Sequence, residues 1–325
     1  MESDLPYIDP EVLASLKAVV IVGNKTNNDS DRAIVKNLVD ASNPFVISNA
    51  SYNLNSGYGK YIFDFTRWGL TKPPTTCIKK NDSFNITYVG RPVSEGECIV
   101  ETGNNSDSDI QVYFKVEISG IEDDMEGWFN TANFRNRQQL YNGINIINVT
   151  VNSKHWYGFD FIRTDGTALG NCNIVVKQIP EFQGAFVTDG VNDTIISTKT
   201  AAEMGITDEV TVVSMIHQIT LNTKYNIATT NYIENSDTKE HVRTDAYVAG
   251  KTGIYGYTAS LINSTRSTIG YILGDIRDYQ AVGTTNKQTI LDSKFSVEGR
   301  VGGFGEVSSV AWYWTVIANK VLTAD

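Results

Sequence analysis

Along residues 112–118, VYFKVEI, apolar Val112, Phe114, Val116 and Ile118 alternate with Tyr113, Lys115 and Glu117. A period of two turns one set toward a core and the other toward solvent, which predicts a half-buried β-strand. In HWYGFDFI (155–162) the alternation places Tyr157, Phe159 and Phe161 in the core, with Trp156, Gly158, Asp160 and Ile162 on the opposite face. FNITYVG, CIVETG, INIINVTV and NIVVKQI are further short runs separated by Gly, Asn and Asp turns. Together they predict a small antiparallel sandwich over residues 76–182.

The flanking segments carry the same signal. KAVVIVG (17–23) reads as a strand, and Asp31 is placed to cap a helical turn burying Ile34, Val35 and Leu38. PFVISNASYNLNSGYGKYIFDF reads as strand, Gly-rich turn, strand, and the paired prolines at 73–74 punctuate the chain. After Pro180 come FQGAFVTDGVNDTIISTKT, EVTVVSMIHQI, GIYGYTASL, TIGYIL, KFSVEGRV and SVAWYWTVIANKVL, all strand-like. In the last of these, alternation puts Trp312 and Trp314 on one face. The predicted organisation is an N-terminal arm (1–16, with a short helix from Pro10), first strands over 17–75, a sandwich over 76–182 and a second strand set over 183–325. Residues 17–75 and 183–325 form one discontinuous domain interrupted by the sandwich, or the parts follow as a row of beads.

Charge narrows the partners. The formal net charge is −10, with no Lys/Arg cluster, which argues against nucleic acid and anionic membrane surfaces. No apolar run approaches the ~20 residues of a membrane span, and the N-terminus lacks the basic region of a secretory signal. The expectation is a product made in the cytoplasm with no membrane insertion. The 16 Tyr, 13 Phe and 5 Trp favour strands and supply flat surfaces for stacking on sugars. Three cysteines (Cys77, Cys98, Cys172) without CxxC spacing signal no zinc site, and a Cys77–Cys98 bridge stays open.

GAFVTDGVNDTI (184–195) resembles the opening of laminin-G-like domains, in which an apolar strand ends in a D-G-x-x-D turn. KFSVEGRVGGFGEVSS (294–309) and VAWYWTVIANKVLT (310–323) resemble the last two segments of those domains. TNNDSDRAIVKNLVDASNPFVISNASYNLNSGYGKY (26–61) resembles the front part of phage and prophage proteins of Bacteroidales hosts that carry them. The resemblance implies an all-β fold: a concanavalin-like (laminin-G-like) jelly roll plus a second, smaller β-sandwich. It further implies a virion appendage of head- or tail-fibre type, homo-oligomeric and trimeric as such fibres usually are. The arm would contact other virion proteins, and a host-surface glycan would be the ligand. Two other readings stand beside it: a purely structural capsid or tail component, and a polysaccharide-processing enzyme.

Hydrolysis on such a fold needs two carboxylates facing across a cleft. No E-x-D-x-x-E pattern occurs in 184–325, and Glu298 lacks an acidic partner at strand spacing, so the expectation is a non-enzyme with no catalytic residues and no cofactor. His155, His217 and His241 are far apart and carry no metal-ligand spacing. For a glycan, the candidate surface combines Tyr255 and Tyr257, flanking Gly256, with Asp275, Arg277, Asp278 and Tyr279 of GDIRDY. The competing reading buries the tyrosines in the core. Asp189 and Asp193 either cap the TDGVND turn or bind calcium.

Overall fold

The computed structural model describes residues 9–94, 96–132, 136–221, 228–235, 237–238, 240–263, 265–272, 279–283, 287–298 and 308–322. The chain divides into two compact units, residues 1–60 with 182–325, and residues 61–181. Strands hold 55% of the described residues and helices 5%, so the all-β class expected from period-two alternation holds.

In chain order, the first unit opens with α1 (Pro10–Ser15), β1 (Leu16–Ile21), β2 (Ile34–Val35), β3 (Phe45–Ser48) and β4 (Gly57–Lys60). The second unit contains β5 (Gly69–Leu70), β6 (Thr75–Lys79), β7 (Ser83–Val89), β8 (Val100–Gly103) and β9 (Ile110–Ser119). It continues with β10 (Met125–Thr131), β11 (Gln138–Leu140), β12 (Gly143–Val151), β13 (Trp156–Arg163) and β14 (Gly170–Ile179). The chain then returns to the first unit through β15 (Glu181–Val187), β16 (Thr194–Thr200), β17 (Glu209–Thr220), β18 (Ala228–Glu234) and β19 (His241–Ala246). It ends with β20 (Lys251–Ser260), β21 (Thr265–Ile272), β22 (Tyr279–Gly283), α2 (Lys287–Leu291), β23 (Lys294–Glu298) and β24 (Ser309–Ala318).

The first unit stacks two seven-stranded sheets. One runs β21-β20-β17-β24-β15-β4 with β1 also paired to β24, and the other runs β2-β3-β16-β23-β18-β19-β22. Its core joins Phe45, Phe186, Ile233, Tyr255, Tyr257, Phe295 and Trp312. The helix α1 starts at a Pro N1 position with Asp9 accepting from the Glu11 N–H, as a capped N-terminus should. The described part of the arm lies on its own unit: Glu11 pairs with Lys320 at 3.0 Å and Ser15 O accepts from Asn319 N.

A buried polar chain crosses this core. Trp312 Nε1 donates to Thr315 Oγ1 at 2.8 Å, Thr315 Oγ1 lies 2.6 Å from Ser214 Oγ, and Ser214 Oγ donates to Asn231 Oδ1 at 2.5 Å. Buried polar groups are tolerated when paired in this way. Trp312 and Trp314 do not share a face. The register of β24 on β17 shifts between Met215/Trp314 and Ile216/Trp312, so Tyr313 is the extra residue of a bulge. Val310 and Trp312 face the core before it, Thr315 and Ile317 are buried beyond it, and Trp314 is only partly buried. One inserted residue inverts the parity of the side chains.

The second unit is a sandwich of two five-stranded sheets, β11-β10-β13-β8-β5 and β12-β9-β14-β7-β6. Successive strands cross back and forth between them, in the manner of a jelly roll. The alternation read from VYFKVEI and HWYGFDFI is realised: Val112, Phe114, Val116, Ile118, Tyr157, Phe159 and Phe161 are all buried in one core. Phe159 sits at its centre, with ring centroids 5.0 Å from Phe129, 5.2 Å from Phe84 and 5.8 Å from Trp68.

Two further expectations need correction. The sequence pattern groups residues 61–75 with the first strands of the roll, but Phe65 and Trp68 are buried in the second core. Gln178 fixes this segment, accepting from Ile62 N and Phe63 N at 3.0 and 3.1 Å and donating to Phe63 O at 3.0 Å. The prolines at 73–74 mark a turn inside the unit, not its edge. The Asp31 segment forms tight turns and the short β2 instead of a helical turn, and Leu38 is exposed. Cys77 lies on β6 and Cys98 just before β8, in opposite sheets, and all three cysteines are free.

Candidate functional site

Tyr255 and Tyr257 do not form a surface: they are 1% and 0% exposed. Their strand β20 runs between β17 and β21. A Cβ on Gly256 between them would stand 2.1 Å from Val212 O, so only glycine allows this close approach of backbones. The tyrosines point to the inner face and fill the core. Asp275, Arg277 and Asp278 lie outside the described residues, and of Tyr279 only the backbone, paired with Ala246, is described.

Asp189 and Asp193 act as turn caps. Asp189 Oδ1 accepts from Val191 N at 2.8 Å, while Asp193 accepts from Asp189 N at 2.9 Å and from Ser56 Oγ at 3.2 Å. Asp193 is fully buried, and desolvation pushes its carboxyl up to about 6, partly offset by the Asp189 N–H. Carboxylates already engaged by N–H and O–H donors make a poor calcium pair. Among the described residues no group of three or more His, Cys, Asp or Glu is placed to hold a metal.

The second unit presents a different surface. Met125 and Phe129 of β10 and Tyr157, Phe159 and Phe161 of β13 face the core. The intervening residues therefore line the outer face of the sheet. These are Glu126, Trp128 and Asn130 on β10, with Trp156, Gly158, Asp160 and Ile162 on β13. The register sets Trp128 between Gln139 of β11 and Asp160 of β13, and sets Gly158 between Asn130 and Glu101 of β8. Gly158 is required here, because a Cβ would stand 2.2 Å from Val100 O.

Trp128 is the partly exposed anchor of this face. Its Nε1 donates to Glu126 Oε2 at 3.2 Å, and the Arg137 guanidinium lies 4.1 Å from the ring centroid, a cation–π contact. Exposed Tyr141 donates to Gln139 Oε1 at 2.7 Å beside it. An indole face among planar amide, carboxylate and guanidinium groups can stack on a flat hydroxylated ring and hydrogen-bond its edges.

Next to this platform the face is covered. Segment 96–99 crosses it, tied by Ile99 N to Phe159 O at 2.8 Å, by Asn130 Nδ2 to Glu97 O at 3.1 Å and by the Lys72–Glu97 ion pair at 2.5 Å. Beneath it Asp160 and Asn130 are both 0% exposed. Burial pushes the Asp160 carboxyl up to about 8, against the opposing effects of the Phe161 N–H and the Asn130 amide. Burial also raises Glu101 and strongly raises the Cys98 thiol.

None of Glu126, Trp128, Asn130, Arg137 or Gln139 stands out as a motif. The signal was present in MEGWFN (125–130), where Met125, Gly127 and Phe129 alternate with Glu126, Trp128 and Asn130. A second cluster, on the outer face of the first unit, has a comparable signature in HVRTD (241–245). There Arg243 holds Asp245 through Nε–Oδ1 at 2.9 Å and Nη2–Oδ2 at 3.1 Å. His241 Nε2 lies 3.0 Å from Arg243 Nη1, and the Tyr232 ring lies 5.8 Å from the guanidinium. His241, isolated along the chain, is thus part of a charged cluster on β18 and β19.

No family model matches the chain, and no curated protein matches it. Among solved structures, it is similar to the N-terminal CBM22-1–CBM22-2 tandem domain of Paenibacillus barcinonensis Xyn10C, at 8% identity over 83% of this chain and 99% of that one, with a TM-score of 0.21.

Proposed function

We propose that this chain is a glycan-binding, non-catalytic appendage protein of a virion, and that the outer face of β11-β10-β13-β8-β5 is its glycan platform. The observation that carries the binding site is Trp128: a partly exposed indole on a non-core sheet face, with the Arg137 guanidinium over its ring and Glu126 and Gln139 beside it. The virion role rests on the resemblance of residues 26–61, 184–195 and 294–323 to phage laminin-G-like proteins. With it go the trimeric state and attachment through the arm. The non-catalytic reading is supported by Asp160, among the described residues the carboxyl most displaced upward toward neutrality, which is closed off beneath segment 96–99.

A glycan array with the full chain tests the platform, followed by titration of any hit with Trp128→Ala. The expected result is binding weakened at least tenfold, about 1.4 kcal/mol, with an unchanged melting temperature, because Trp128 faces away from the core. Unchanged binding would remove this face from consideration, and hydrolysis of a bound glycan lost on changing one carboxylate would overturn the non-catalytic reading. Mass spectrometry of purified virions tests the appendage role.

A second reading, protein contacts alone, draws on the opposite sheet of the same unit. Its outer face exposes Ile78 (61%), Tyr113 (49%), Ile144 (71%) and Ile146 (49%), an apolar set suited to a subunit contact. Empty arrays together with loss of assembly in Ile144→Asp would favour it.

A further inference from the structure

The pair beneath segment 96–99 has an uneven hydrogen-bond account. Asn130 Nδ2 donates both to Glu97 O and to Asp160 Oδ2, each at 3.1 Å. The Glu97 carbonyl therefore fixes which end of the amide is nitrogen, and the amide cannot be turned over without losing that bond. Two buried oxygens are left without a partner: Asn130 Oδ1 and Asp160 Oδ1. Two bare acceptors in a site with no exposure are costly, because each has lost its water and gained no donor. A single proton satisfies both. A carboxylic acid and a primary amide pair through two bonds, amide N–H to acid oxygen and acid O–H to amide oxygen, and the first of these is present.

We propose that Asp160 and Asn130 form a neutral acid–amide latch, with the Asp160 proton bonded to Asn130 Oδ1, which holds segment 96–99 over the sheet and is released as pH rises. Ionisation gives the proton to solvent and leaves a buried carboxylate against the Asn130 carbonyl oxygen. The groups facing Asp160 do not relieve that charge on balance. Glu97 of the segment and Glu101 of β8 are acidic, the Cys98 thiol of the segment is kept neutral by burial, the cation acting on it, Lys72, is already held by Glu97, and Trp128 and Asn130 of β10 are neutral. The upward displacement of the Asp160 carboxyl by burial agrees with this account. The latch concerns the cover of the face and stands whether or not the face binds a glycan.

The sign follows from linkage. The closed state keeps its proton up to about pH 8, while an exposed carboxyl loses it near 3.8. Closure is fully favoured below the lower value, and the opening equilibrium grows up to tenfold per pH unit between the two before levelling off above about 8.

The test is hydrogen exchange at the amides of 96–99 in the full chain from pH 5 to 9, corrected for intrinsic exchange, for wild type and Asp160→Asn. The asparagine variant restores both bonds as an amide–amide pair without a titrating group. Opening in wild type should rise steeply to about pH 8 and flatten, while the variant shows a flat profile. A wild-type profile without slope, or the same slope in the variant, overturns the latch. Should the variant fail to fold, ¹³C-carboxyl NMR of wild type decides: Asp160 titrating above pH 6 supports the latch, and titration near 4 refutes it.

Discussion

Phe159→Ala is expected to destabilise the second unit by about 3–5 kcal/mol, a large share of the 5–15 kcal/mol that holds a typical domain together. Phe159 is fully buried, and its ring meets Phe65, Trp68, Phe84, Phe114 and Phe129 at centroid distances from 5.0 to 6.3 Å. Several of these contacts are edge-to-face, the arrangement that aromatic quadrupoles favour. The partners come from β7, β9, β10 and the 65–68 segment, so truncation opens a cavity shared by both sheets. Rigid strands on every side limit collapse into it, which places the cost toward the upper end of the range. Urea unfolding followed by exchange protection at β9 and β13 would measure the loss. A change below 1 kcal/mol would mean that the aromatic cluster is not the keystone of this unit.

Trp312→Ala should destabilise the first unit by a similar amount, about 3–5 kcal/mol, while Trp314→Ala costs roughly 1 kcal/mol or less. The two tryptophans are two residues apart, and an unbroken strand would give them the same environment. The bulge at Tyr313 separates them, turning Trp312 into the core against Phe45 at 6.5 Å and leaving Trp314 partly exposed. Removing Trp312 also deprives Thr315 of its indole donor and disturbs the chain through Ser214 to Asn231. Thermal melts of both variants would measure the contrast. Equal destabilisation would place both side chains in the core and remove the bulge.

The candidate site was legible only in part. The core-facing half of each strand follows from alternation, which is why the inward positions of Phe159 and Phe114 can be read directly from the chain. The outward half carries the chemistry, and alternation alone says nothing about which outward residues meet. Trp128, Asp160 and Gln139 come from three strands at separations of 11 to 32 residues along the chain, and only the register of β10 against β11 and β13 makes them neighbours. Tyr255 and Tyr257 show the opposite failure. Their spacing around a glycine fits an exposed aromatic strip as well as a core strand, and the sheet packed on their side decides between them.

Composition and period-two patterning by themselves determined the all-β class and the inward aromatic sets, because these depend on local side-chain alternation. Tertiary structure decided the rest. It assigned 61–75 to the second unit through Gln178 and the buried rings of Phe65 and Trp68, and it separated Trp312 from Trp314. It also made the aspartate at 160, one outward position among several on its strand, a buried acid facing an amide. The physical reason is the same in each case: long-range pairing fixes which side chains lose water together, and no local pattern encodes that choice.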